Sequence, residues 1–358
     1  MESTTKSLAR PKVSIKKGRE WQLLRGHPWL FSGGISQVPA KLSAADIVDL
    51  VDTDGRFVAC GYYNPACDIA VRLLTLDQGE QIDSAFVERR VQQALELRAL
   101  ALDQNETNVY RLINAEGDFL PGIIADRFAG TIVLQSHTAG GDRLLPDVIA
   151  ALVKHMQPSM IVVRNDAAVR KREGLQLEPP QVVHREGGTE NPDSVPFFVE
   201  VCEHGLKFKI DPLSGQKTGF FTDQRDKRIA VGKYCRHLPP EALLANCFSY
   251  SGAFAIYALA SNPGLSCINV DQSARALELA RENYAINGIA ASDHHFVEAD
   301  AFAWLEEQVS QGQKFQFIIL DPPAFAKSHK DKSPALKAYT RLNRLGLKCC
   351  VPGALLMT

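Results

Sequence analysis

Residues 243–271, LLANCFSYSGAFAIYALASNPGLSCINVD, constrain the fold more than any other stretch of this chain. Leu243 to Ala245 is a short apolar run of the kind that forms a buried parallel strand. Asn246 to Ser251 reads as a turn of small and polar residues, and Gly252 opens a helix-like run, Ala253 to Ala260. A second strand, Cys267 to Val270, ends on Asp271. A strand, loop, helix and strand in this order place a loop and a carboxylate side by side at the carboxyl edge of a parallel sheet. A carboxylate there accepts both hydroxyls of a ribose. The dinucleotide fingerprint GxGxxG and the triphosphate fingerprint GxxxxGK[ST] are both absent from the turn. Ser249, Tyr250, Ser251 and Gly252 therefore suit a nucleoside cofactor without phosphates, S-adenosylmethionine. An ordinary βαβ unit whose strand happens to end on Asp explains the stretch equally well, and these residues alone leave both readings open.

A chain of 358 residues accommodates two or three domains. Its 45% apolar and 23% charged residues are those of a globular protein. No apolar run is long enough to span a bilayer, and the first twelve residues, MESTTKSLARPK, lack the apolar centre of a secretory signal. A cytoplasmic location and no membrane partner are expected. The eight cysteines form no CxxC pair, which disfavours zinc and predicts reduced, mostly buried thiols, with no metal site. A net charge of −1 means that nucleic-acid binding would need locally gathered positive charge.

Residues 1–78 read as a small β domain, with short apolar runs punctuated by Gly33-Gly34, Asp54-Gly55 and Asn64-Pro65. A basic flank carries Lys6, Arg10, Lys12, Lys16, Lys17, Arg19 and Arg25, with Trp21, Trp29 and Phe31 among or just beyond it. Cations neutralise phosphates and exposed rings stack on bases. Taken by itself, however, the flank reads better as a solvated face over core aromatics. Residues 79–190 read as a separate α/β unit. Asp83 or Ser84 caps a helix to about Leu102 with Val87, Val91, Ala94 and Leu95 on one face. Arg164, Arg170, Lys171 and Arg172 are either an RNA-facing group or a plain surface cluster. Residues 177–196 are polar and loop-like.

Residues 191–358 hold the cofactor stretch. Before it comes GQKTGFFTDQRDKR, residues 215–228. Its paired aromatics in a Gly-bounded loop, followed by Asp223-Gln224-Arg225 at a helix entry, suit a cofactor lid. Lys217 or Arg225 could meet a carboxylate, and Phe220 could wall off a ring; a helix entry over core Phe residues is the alternative. After it, Ser273 caps a helix, Asp300 follows a third strand, and Phe315 to Leu320 is a buried fourth strand ending on Asp321-Pro322-Pro323. The prolines stiffen that loop and expose its carbonyls.

Three strings carry a resemblance. HPWLFSGGI with ADIVDLVDTDG and GYYNPACDIAVRLL resembles a PUA domain, a barrel-like RNA-binding module. RLINAEGDFLPGIIADRF and VVRNDAAVRKREGL resemble a strand-strand-helix-strand-strand middle domain. GQKTGFFTDQR and DPPAFAKS resemble the lid and the strand-four loop of the bacterial 23S rRNA cytosine-C5 methyltransferase family. The resemblance spans nearly the whole chain and implies an α/β architecture: a PUA domain, a middle domain and a Rossmann-like S-adenosylmethionine-binding domain. It implies cofactor contacts from Lys217, Phe220, Asp223, Gln224, Arg225, Ser249, Tyr250, Ser251, Gly252, Asp271, Gln272, Asp300, Ala301 and Asp321, with the adenine amino group on Asp300. It implies catalytic roles for Asp321 and Pro322. RNA contacts are expected from Lys16, Lys17, Arg25, Trp29, Arg170, Lys171 and Arg172, with 23S ribosomal RNA as partner and a homodimer as the assembly.

In amino-methylating enzymes an aromatic follows Asp-Pro-Pro directly. Here Ala324 does, and Phe325 comes one later, which points to carbon methylation. C5 of cytosine is a poor nucleophile, so a thiolate must first add at C6. The resemblance places that cysteine in a string that would begin at Thr358, so the nucleophile and the last strands are expected to be missing. Cys247, Cys349 and Cys350 read as packing thiols. A methyltransferase for another RNA base, or an RNA- and cofactor-binding protein without turnover, are the alternatives.

Overall fold

The computed structural model describes residues 10–187, 197–290, 292, 295–326 and 331–358. Lys6, residues 188–196 of the polar loop, and Lys327-Ser328 of the DPPAFAKS string lie outside the described residues. The chain divides into two compact units. One is Met1–Val199 with Ile210–Thr222, and the other is Glu200–Lys209 with Asp223–Thr358.

The first unit opens with strands β1 (Lys12–Ile15), β2 (Trp29–Phe31), β3 (Ile35–Gln37), β4 (Ile47–Val51), β5 (Phe57–Tyr63) and β6 (Ile69–Thr75), with helix α1 (Glu20–Leu24) between β1 and β2. They form one sheet in the order β2-β6-β5-β4-β1-β3. Its pairings are antiparallel except β1 on β4. Val13, Ile15, Val48, Leu50, Val58 and Val71 fill its core.

Helix α2 (Ser84–Ala101) follows, capped by the Asp83 carboxylate, which accepts from Phe86 N. Then come β7 (Val109–Asn114), β8 (Ile123–Phe128), β9 (Thr131–Ser136), helix α3 (Ala139–Met156), β10 (Met160–Val163) and β11 (Gln181–Arg185). The sheet order is β11-β10-β9-β8-β7. Three strands precede α3, one more than the expected two, because Val109–Asn114 pairs along its length with β8. Helices α2 and α3 cover this sheet and bury Val87, Val91, Leu144, Val148 and Leu152 against it.

Between β6 and the second sheet the unit is tied by buried polar groups. Arg72 on β6 lies 2.5 Å from Glu173, and both are buried. Asn64 donates to the same carboxylate at 2.8 Å. Tyr62 donates to the Pro121 carbonyl at 3.0 Å, and a Cβ at Gly140 would enter its ring. Removing a partner from a buried pair is far more costly than the pair itself is stabilising, so these contacts fix register between the two sheets.

A hairpin, β12 (Val199–Glu203) and β13 (Leu206–Ile210), leads into the second unit, whose first helix is α4 (Arg225–Cys235). Strands β14 (Leu243–Cys247), β15 (Ser266–Asp271), β16 (Phe296–Glu298), β17 (Phe315–Leu320) and β18 (Cys350–Met357) alternate with helices α5 (Ala253–Ser261), α6 (Ala274–Ile286), α7 (Ala301–Gln311) and α8 (Lys332–Cys349). The order is β16-β15-β14-β17-β18, and every pairing is parallel. Strand order reverses between β14 and β17, which opens a crevice beyond their carboxyl ends, where doubly wound sheets bind ligands. Helices α4, α5 and α6 pack on one another, and α7 packs on α8. Helix α5 is buried from Ala253 to Leu259, as its unbroken apolar sequence requires.

Candidate methyl-donor site

Register fixes the site. Cys247 lies opposite Val270 on one side and Leu320 on the other. The next residues outward are therefore Phe248, Asp271 and Asp321, three neighbours in one row at the carboxyl edge. Asp271 and Asp321 stand two strand spacings apart, roughly 10 Å.

The loop after β14 is held in an uncommon backbone conformation. Phe248, Tyr250 and Gly252 have φ of 60°, 46° and 75°. For residues with a Cβ this region carries a cost, so other contacts must hold the loop. Two do. Tyr250 N donates to the Asp271 carboxylate at 2.9 Å, and Ser249 N donates to the Val270 carbonyl at 3.1 Å. At Gly252 a Cβ would come within 3.1 Å of the Ala280 Cβ. Beneath the loop runs a buried polar chain. Asn246 donates to Asn269 at 2.9 Å, and Asn269 donates to the Tyr284 hydroxyl at 2.7 Å. Asn283 donates to the Ser251 carbonyl at 3.1 Å.

Asp271 receives a second backbone donor, Ser273 N at 3.0 Å. Each oxygen thus accepts one N–H and keeps a lone pair for a ligand hydroxyl. Ser273 caps α6 through Ala276 N, as the sequence predicts. Asp300 caps α7 by accepting from Ala303 N at 3.0 Å, and its other oxygen accepts from Gln272 at 2.7 Å. Gln272 and Asp300 are thus brought together. Ala301 packs into the core, so only its backbone is available to a ligand.

Asp321 and Pro322 are half-buried at the end of β17, and Pro323 and Ala324 are exposed. Phe325 turns inward, 4.6 Å from the Tyr339 ring and 5.9 Å from that of Phe302. Phe325 N also donates to the Tyr339 hydroxyl at 3.3 Å.

The 215–228 string is divided between the units. Gly215 to Thr222, with Lys217 and Phe220, go with the first; Asp223, Gln224 and Arg225 go with the second. In the first unit Thr218 donates to Asp126 at 2.6 Å, Thr222 donates to it at 3.3 Å, and Arg111 pairs with it at 2.7 Å. Phe220 is buried, and the Lys217 ammonium lies 4.3 Å from the Phe221 ring centre. The 3-10 turn Thr222–Gln224 leads into α4, and in the second unit Arg225 lies 3.7 Å from Asp226.

Among the described residues of the second unit, Ser249 Oγ, Asn246 Oδ1 and Gln224 Oε1 are buried without a hydrogen-bond partner. Leaving such groups unsatisfied is costly, so a polar ligand has groups to meet there. Ser249 sits in the glycine-poor loop beside Asp271. Hydroxyl, backbone N–H and carboxylate together fit an adenosyl group with an amino-acid tail, and the donor set of S-adenosylmethionine matches the residues present.

The cysteines do not add a nucleophile to this edge. Cys247, Cys267 and Cys349 are fully buried, and burial pushes each thiol up. Cys350 is half-buried and shifted in the same direction. Among the described residues no group of His, Cys, Asp and Glu could hold a metal. No helix among them is long and apolar enough to cross a membrane.

Of the expected RNA contacts, Lys16, Lys17, Arg25, Lys171 and Arg172 are exposed. Lys16 donates to the Gly33 carbonyl at 2.8 Å. Trp29 is partly buried, and its Nε1 donates to Glu116 at 2.8 Å. Arg170 corrects its expectation. It is 1% exposed, donates to the Ser136 carbonyl at 2.6 Å and pairs with Asp142 at 2.8 Å. A guanidinium saturated in the interior holds the fold together and cannot face RNA. Arg164 is likewise buried, donating to the Gly215 carbonyl and to Asp166. A run of cations in sequence does not disclose which of them the fold turns inward.

A parallel sheet in this order, with an acid closing its second strand and Asp-Pro-Pro closing its fourth, defines an S-adenosylmethionine-dependent methyltransferase. The family model of that description matches residues 193–358, and the model for a PUA-like domain matches residues 13–76. The chain is 40% identical, over 97% of its length and 84% of the relative's, to ribosomal RNA large subunit methyltransferase I of Klebsiella pneumoniae subsp. pneumoniae. It is 37% identical, over the same shares, to the protein of that name from Escherichia coli. In fold it is similar to SMU.776, solved with SAH, with a TM-score of 0.78 at 20% identity over 97% of this chain and 84% of that one. The chain belongs to the ribosomal RNA large subunit methyltransferase I family.

Proposed function

We propose that the chain methylates 23S ribosomal RNA, at C5 of a cytosine, with S-adenosylmethionine as donor. The observation that carries this reading is the 40% identity, over nearly the whole chain, to proteins named for the large-subunit RNA. A PUA-like domain ahead of the methyltransferase domain supports an RNA substrate. Ala324 directly after Asp-Pro-Pro, with Phe325 turned inward onto Tyr339, leaves the position that follows the prolines without a ring to stack on a base amine, which favours carbon as the acceptor. Substrate RNA and bacterial relatives together support a cytoplasmic location. Pairing of two copies is a further part of the reading, tested by light scattering.

The donor supplies an electrophilic methyl group on sulfur. Asp271 takes the ribose hydroxyls on the lone pairs its two N–H bonds leave open. Asp300, already oriented by Gln272 and Ala303 N, takes the adenine amino group. Ser249 to Gly252 offer hydroxyl and backbone groups to the methionine end, and Asp223, Gln224 and Arg225, at the entry of α4 in the same unit, add further cofactor contacts. Asp321 and Pro322 shape the edge where the base enters. Carbon methylation requires a thiolate at C6, attack of C5 on the methyl, loss of the C5 proton to a base, and release of the thiolate.

A second reading, a chain that binds donor and RNA without completing the cytosine chemistry, is favoured by one observation. The cysteine of the strand row, Cys247, is buried with its thiol pushed up. Incubation with unmodified 23S rRNA and methyl-labelled donor, followed by mapping of 5-methylcytosine, separates the two. Label at one cytosine C5 supports the first reading. Donor and RNA binding without transfer supports the second, and label at another atom overturns the assignment of carbon.

A further inference from the structure

Helix α8 carries five cations, Lys332, Lys337, Arg341, Arg344 and Lys348, and no acid within Lys332–Cys349, in a chain whose net charge is −1. Lys337, Arg341, Arg344 and Lys348 recur at +4, +3 and +4, so they form one stripe about 16 Å long. All four are exposed, while Ala335, Leu342, Leu345, Gly346 and Cys349 form the buried face. Arg341 is committed to α7, 2.7 Å from Glu306 and over the Phe302 ring. Among the described residues Lys337, Arg344 and Lys348 pair with no carboxylate. A groove of about 410 Å³ runs along this face, lined by Ser333, Lys337, Thr340, Arg341 and Arg344 together with Leu336 and Leu345. Hydroxyls interleaved with cations are the side chains that hold phosphate oxygens. Tyr339, on the same helix, is joined to Phe325 of the Asp-Pro-Pro loop, so the stripe is fixed relative to the strand end that carries Asp321.

We propose that this face of α8 is a phosphate-binding track that grips the backbone of the RNA substrate from the methyltransferase unit itself. The inference rests on the RNA-substrate reading given above and adds to it a contact surface outside the PUA-like domain.

The test compares the wild-type chain with K337A/R344A in binding to a 23S rRNA fragment across a salt series, and in methyl transfer where it occurs. Each lost phosphate contact lowers the slope of log K against log salt by about 0.7 for single-stranded RNA, so the double variant loses about 1.4. Donor binding by calorimetry stays at the wild-type value, which shows that the fold is intact. The control K227A/K233A, equally exposed on α4, keeps the wild-type slope. An unchanged slope in K337A/R344A, as expected if the face serves an acidic protein partner, overturns the proposal. So does an equal loss in the control, which would signal general charge. A wild-type chain that binds no RNA at all refutes the substrate reading, and the track with it.

Discussion

The carboxylate of Asp271 accepts the backbone N–H of Tyr250 at 2.9 Å, joining the acid at the tip of β15 to the loop that leaves β14. Tyr250 has a φ of 46°, and this charge-assisted bond is among those that hold its loop there. On the proposed reading D271A removes a ribose acceptor and loosens the loop together. Hydrogen bonds to a charged group contribute about 1.5–3 kcal/mol, so donor affinity falls roughly 10- to 100-fold in calorimetry.

Gly252 opens α5 at a φ of 75° with its missing Cβ facing Ala280. G252A adds about 1 kcal/mol of backbone cost and a crowded contact. Denaturant unfolding shows a loss of about 1–2 kcal/mol, with weaker donor binding. Unchanged stability means the loop has relaxed to another conformation.

Glu203 is wholly buried and accepts from Arg228 at 2.8 and 2.7 Å and from the Tyr257 hydroxyl at 2.9 Å. Burial, with the adjoining Glu203 charge, pushes the Tyr257 phenol up. R228M strands the carboxylate and costs about 3–5 kcal/mol, whereas the paired change E203L/R228M recovers part of that loss. Thermal unfolding of the single and double variants checks the order.

Glu173 accepts from Arg72 and Asn64 and from the Cys67 thiol at 3.3 Å. Burial and this carboxylate hold Cys67 at a pKa of about 11. In E173Q the thiol titrates lower, so the alkylation rate of Cys67 rises at a given pH below about 11. Stability falls by about 1–3 kcal/mol because Arg72 loses its closer partner and keeps only Glu116, at 3.3 Å. Alkylation rates followed against pH, with mass spectrometry at Cys67, read both effects.

C247A leaves donor binding unchanged and does not alter any methyl transfer the chain performs, because that thiol packs the core between β14, β15 and β17. Loss of transfer with donor binding retained would make Cys247 the nucleophile.

Strand ends and helix caps were the legible parts of the sequence. Apolar runs closing on Asp271 and Asp321 announce parallel strands, and the observed register puts both acids in one row. Ser273 and Asp83 cap the helices they precede. Other properties are set by partners distant in sequence. Arg170 is buried only because Asp142 and the Ser136 carbonyl, about thirty residues upstream, complete its hydrogen bonds. Residues 215–222 go with the first unit because Asp126 captures Thr218 and Thr222. The α8 stripe was not singled out in the sequence, because its exposure depends on which face packs on α7 and β17.

The central claim is that the row Phe248, Asp271, Asp321 and the loop after β14 hold an adenosyl group. A crystal structure of the chain with S-adenosylhomocysteine tests it most directly. The account predicts the ribose hydroxyls on the Asp271 carboxylate and the amino-acid tail at Ser249 to Gly252. Ligand bound away from the carboxyl edge of the five-stranded sheet, or an Asp271 carboxylate that does not touch the ribose, would contradict it.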